Sequence, residues 1–97
     1  MEFSLKDVQE RTLAAIKPDG IEEVVDRIEA SIYERASKGF FTHNFEVNDI
    51  ETARYISYYL SVKGFRVARY SERIKGRGEW HRIEAIWLPA VHIGGEK

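Results

Sequence analysis

Hydrophobic residues recur along this chain with two different periods, and the switches between them constrain the fold more than composition does. Leu5, Val8, Thr12, Leu13 and Ile16 are spaced for one narrow face of a helix, as are Ile21, Val24, Val25, Ile28 and Ile32. Phe41, His43, Phe45 and Val47 instead alternate within Phe40–Val47, as a strand requires. Helical spacing returns with Ala53, Ile56, Tyr59 and Leu60, and two extended runs follow, Phe65–Tyr70 and Trp80–Trp87, the second with Ile83, Ala85 and Trp87 on one side. Boundary residues agree with this division. Ser4 and Asp49 stand where a helix needs a side-chain acceptor for its first free N–H groups, and Gly39 and Gly64 stand where a helix ends in a left-handed turn. Lys17-Pro18-Asp19-Gly20 separates the first two helices, Gly76-Arg77-Gly78 joins the last two strands, and Pro89 stops the last one. The expected order is α-α-β-α-β-β, an α+β domain with its helices packed on one face of a small three-stranded mixed or antiparallel sheet. If the first two strands are neighbours they run parallel through a right-handed crossover; if the third lies between them, both pairings are antiparallel.

At 97 residues the chain has room for one core, expected to span residues 1–90, with 91–97 as a flexible tail. A hydrophobic share of 43% against 32% charged residues is enough to fold and too apolar for a disordered chain. The absence of cysteine rules out disulfides and thiolate zinc sites, so packing and backbone pairing must supply stability. No apolar run approaches the roughly 18 residues of a membrane span, and Met1-Glu2-Phe3-Ser4 lacks the basic start of a signal peptide, so the expectation is a cytoplasmic protein without membrane contact. His43, His81 and His92 are far apart and show no metal-ligand spacing, and no nucleophile motif is present. His43 reads as a partly buried strand residue. Neither catalysis, nor a cofactor, nor a metal is expected.

The net charge of −1 hides a division along the chain. Residues 1–51 carry six Lys/Arg against twelve Asp/Glu, and residues 52–97 carry nine against four. Two surfaces of opposite sign follow, which either steer an encounter or pair with each other in the fold. Glu22, Glu23, Asp26 and Glu29 gather the acidic charge at the start of the second helix, where the helix dipole favours it. The basic charge concentrates around the last two strands. There Arg66, Arg69, Arg73, Lys75, Arg77 and Arg82 stand among Tyr70 and Trp80, and these eight residues form the candidate binding surface. Arginines beside exposed rings suit a protein interface, and they also suit RNA or single-stranded DNA, where rings stack on bases and guanidinium groups meet phosphates. Glu72, Glu79 and Glu84 dilute the patch, and no RNA-recognition signature accompanies it. Tyr55, Tyr58 and Tyr59 form a secondary candidate surface, because three rings cannot all face the core on a helix that also buries Ala53, Ile56 and Leu60.

Two resemblances accompany these residues. Glu10-Arg11-Thr12-Leu13-Ala14-Ala15-Ile16-Lys17-Pro18-Asp19-Gly20 resembles the opening strand of nucleoside diphosphate kinases, whose lysine lies at the phosphate site. The phosphorylated histidine of that family, in an Asn-x-x-His-Gly-Ser-Asp type segment, has no counterpart here, and the Ser4 cap favours a helix over residues 5–16. In layout, Phe40–Trp87 is similar to small proteins of tailed bacteriophages: a strand, a capped helix, Lys63-Gly64-Phe65-Arg66-Val67 and a closing strand with Ile83-Glu84-Ala85-Ile86-Trp87. That resemblance implies a non-enzymatic accessory, host-takeover or minor virion protein in the host cytoplasm or the virion. The leading expectation is a protein–protein interaction module, with a homodimer among its forms. Nucleic-acid binding through the last two strands is the alternative.

Overall fold

The computed structural model describes residues 3–74 and 78–89, with the side chains of 72–74 left aside. Its elements are α1 (Leu5–Ala15), α2 (Ile21–Ser37), β1 (Thr42–Val47), α3 (Ile50–Val62), β2 (Arg66–Ile74) and β3 (Gly78–Ile86), in the expected α-α-β-α-β-β order. The boundary chemistry acts where the sequence placed it. Ser4 Oγ accepts the Asp7 N–H at 3.1 Å and starts α1, and Asp49 Oδ2 accepts both the N–H and the hydroxyl of Thr52, at 2.9 and 2.8 Å, to start α3. α2 begins without a side-chain cap, after Gly20 in a left-handed conformation that turns the chain out of α1.

The sheet order is β1-β3-β2, and both pairings are antiparallel. β3 therefore lies between two strands that precede it, and α3 carries the chain from one edge of the sheet to the other. Extended structure differs from expectation at its ends. β1 begins at Thr42 rather than Phe40, leaving Phe40 and Phe41 about half exposed; β2 runs on to Ile74, and β3 ends at Ile86, one residue before Trp87. Trp87 still donates its N–H to the Phe41 carbonyl at 2.9 Å, so the ladder outlasts the strands by one bond.

Register assigns each side chain to a face. His43, Phe45 and Val47 lie opposite Ala85, Ile83 and His81, which in turn lie opposite Val67, Arg69 and Ser71, and these form the helix-covered side. Ile83, Ala85 and His81 are buried there beneath Ala53, Ile56 and Leu60 of α3 and Ile28 and Ile32 of α2. α2 lies along β1 and α3 across all three strands, whereas α1 rests on α3 and forms an outer tier. That placement changes the reading of α1: of its stripe only Leu13 is buried and Ile16 partly so, while Leu5 and Val8 are 73% and 41% exposed. The Glu10–Ala15 segment is helical, unlike the strand of the kinases it resembles. Its Lys17 is held by Glu22 in an ion pair of 2.6 Å, which raises the lysine pKa and lowers that of the carboxylate. The expected tail, 91–97, lies outside the described residues, as do Gly76 and Arg77 of the turn between β2 and β3.

Candidate binding surface

The same register that buries one side of the sheet leaves the other uncovered by any helix of the described chain. Across that open face run Thr42–Ile86–Arg66, then Asn44–Glu84–Ala68, then Glu46–Arg82–Tyr70, with Trp80 next along β3. Tyr70 is 55% exposed, and Arg66 and Arg82 are exposed as well. Arg82 is the centre of the group. Its guanidinium reaches the Glu46 carboxylate at 3.7 Å and stands 5.4 Å from the Trp80 ring centroid, so it bridges an acid on β1 and a ring on its own strand.

Four of the eight predicted residues are thus brought together: Arg66, Tyr70, Trp80 and Arg82. Arg69 is not among them. It pairs with Ile83 and belongs to the helix-covered side, at whose edge its side chain stays exposed. Period two makes this unavoidable, since Arg66 and Arg69 are an odd number of residues apart on one strand. The side chain of Arg73, and Lys75 and Arg77 entirely, lie outside the described residues.

The tyrosines of α3 divide in the same way. Tyr58 is 49% exposed, but Tyr55 is buried and stacks 6.1 Å from Tyr59, so it belongs to the core and not to a binding surface. Helical geometry places Tyr55 and Tyr59 one turn apart on one side of α3, where both line a groove with Leu13 and Ala14 of α1 and where Glu29 of α2 accepts the Tyr59 hydroxyl. Glu29 thereby leaves the free acidic cluster, and Glu22 leaves it through Lys17. Among the described residues, Arg82–Glu46 is the one ion pair linking the acidic half of the chain to the basic half, and no hairpin arginine reaches an acid of α2.

Two histidines sit on the helix side. His43 is partly buried beside Phe45, with ring centroids 5.9 Å apart, and burial followed by the nearby Arg35 lowers its pKa. His81 is 1% exposed; its Nδ1 lies 2.7 Å from Ser71 Oγ, and its Nε2 has no hydrogen-bond partner. The alternation of Ile83, Ala85 and Trp87 already places His81 on the inward face, so the period was the signal for its burial. Among the described residues, no three His, Cys, Asp or Glu side chains converge as a metal site, and no helix is long and apolar enough to cross a membrane. Comparison with protein families, with curated proteins and with solved structures finds no match to this chain.

Proposed function

We propose that this chain is a protein-binding module that docks a partner protein on the open face of its sheet. The observation that carries the reading is the row Glu46–Arg82–Tyr70 with Trp80 beside it: two rings and an arginine, interleaved with carboxylates on the same surface. Tyrosine, tryptophan and arginine supply most of the energy in protein interfaces, where an acid beside the arginine orients it. A phosphate backbone, in contrast, is repelled by Glu46 and Glu84 in the middle of the patch. Arg66, with no ion-pair partner among the described residues, suits an acidic side chain at the edge of the contact. The same proposal extends to setting, an accessory or minor virion protein of the kind the Phe40–Trp87 layout resembles.

A matched pair of charge reversals on β2 tests the assignment. Partners are captured from lysate with the wild-type chain, identified, purified and titrated against Arg66→Glu and Arg69→Glu. Loss of binding in Arg66→Glu with retention in Arg69→Glu is the expected result, because the two side chains leave opposite faces of one strand. Equal loss in both, together with salt-sensitive binding of labelled single-stranded RNA or DNA, would transfer the function to nucleic acid.

A further inference from the structure

A groove of about 580 Å³ opens on the side of the molecule where α2 passes β1. Its lining includes the consecutive residues Phe45, Glu46, Val47, Asn48 and Asp49. Phe45, Glu46 and Val47 point alternately to opposite faces, so the groove reaches the edge of β1 over its last residues, and Asn48, Asp49, Thr52 and Trp80 carry it round the strand's end. β1 is an outer strand, and that edge is unpaired.

Backbone polarity there follows from the ladder. The Trp87 N–H to Phe41 carbonyl bond marks Phe41 as a residue whose backbone groups face β3, and antiparallel pairing repeats this at His43, Phe45 and Val47. The N–H and C=O groups of Thr42, Asn44 and Glu46 must then face the free edge, where Glu46 also lines the groove. Arg35 Nε donates to the Thr42 carbonyl at 3.4 Å, which agrees with that direction. Among the described residues, nothing bonds the backbone of Asn44 or Glu46 on that side. The floor is apolar, from Val24 and Ile28 on α2 and Phe45 and Val47 on β1, and Arg27 stands at the wall with no ion-pair partner among the described residues.

We propose that this groove is a second binding site, which takes an extended polypeptide segment of a partner protein as an added strand on the free edge of β1. Backbone bonds to Asn44 and Glu46 hold the segment, apolar side chains at alternate positions enter the floor, and an acidic side chain meets Arg27. This is strand addition, in which main-chain bonds supply affinity and the pockets for every second side chain supply specificity. The groove meets the open face at Glu46 and Trp80, which line both, whereas Arg66, Tyr70 and Arg82 belong to the open face and not to the groove.

A displayed library of random peptides, long enough to pair with the whole of β1, tests the proposal with the intact chain. Expected binders alternate apolar residues, carry an acid near one apolar position, and shift the amide resonances of Asn44 and Glu46. Asn44→Pro removes an N–H that makes no ladder bond, so the strand tolerates it as edge strands do, and binding weakens about tenfold. Ser31→Arg fills the groove from α2 and abolishes binding without touching the sheet, which keeps the test decisive if the proline variant fails to fold. Arg66→Glu leaves these peptides bound, so the open-face reading and this one fail separately. Recovery of no binder, of binders indifferent to Ser31→Arg, or of a homodimer that Ser31→Arg converts to monomer overturns the proposal, the last by assigning the groove to a second copy.

Discussion

The Tyr59 hydroxyl on α3 donates a hydrogen bond of 2.5 Å to the Glu29 carboxylate on α2, joining the two helices that cover the sheet. Burial first, and then this bond, push the Tyr59 pKa up from 10.0 to about 12. A raised folded-state value means that the contribution is fully present below the unfolded value and is lost as the pH climbs through the interval to about 12. Thermal unfolding of the wild type should therefore weaken across that alkaline interval more than that of Tyr59→Phe. At neutral pH the substitution should cost about 1–2 kcal/mol, since a hydrogen bond to a charged acceptor is lost at a partly exposed site. Parallel melting curves for the two proteins above pH 10 would sink the assignment.

Asp49 gives the opposite sign. Its bonds from the Thr52 hydroxyl and N–H hold its carboxyl below the usual carboxylate value. The stabilisation is present above the unfolded value of 3.8 and is lost as the pH falls through the lower folded one. Asp49→Ala should destabilise by about 1 kcal/mol at pH 7, whereas Asp49→Ser should retain most of the cap. Urea denaturation of both variants at pH 7 checks the order.

His81 and Ser71 test what an incompletely satisfied buried ring costs. Ser71→Ala removes the one partner of the imidazole and should destabilise by about 1–3 kcal/mol, because both ring nitrogens are then without a protein partner in a buried site. His81→Leu removes the ring and its unmet nitrogen together and should be better tolerated than Ser71→Ala. Equilibrium unfolding of the two single variants decides, and the reverse order would show that Nε2 has found a partner in solution.

Ile56 is among the largest fully buried side chains, at the centre of α3 over the sheet. Ile56→Ala should cost about 2–5 kcal/mol through lost burial and the cavity left behind. Leu5→Ala, on the exposed first turn of α1, should change stability by less than about 0.5 kcal/mol. Chemical denaturation that found the two equal would mean that α1 closes onto another surface in solution.

Much of this architecture is decided within a few residues of chain, and that part was readable in advance. The caps at Ser4 and Asp49, the glycine ends at Gly39 and Gly64 and the period of each segment all depend on neighbours in sequence. The inward side of β3 was equally legible from Ile83 and Ala85, although His81 on the same side went unread. The candidate surface was legible as a composition and not as a place. That Arg69 turns away from Arg66 follows from the period of one strand, but Arg66 and Tyr70 share a face with Trp80 and Arg82 because β3 sits between β1 and β2 and sets the register of both. Tyr55 is buried and Tyr58 is not because α2 and α1 lie where they do around α3. Local propensity and period are summed over adjacent residues, so the sequence by itself determined the elements and the inward faces of α2, α3 and β3, but not how little of the α1 stripe would be covered. Strand order, and with it the uncovered face and the edge groove, arises from contacts between residues far apart in the chain, and only the tertiary structure decided those.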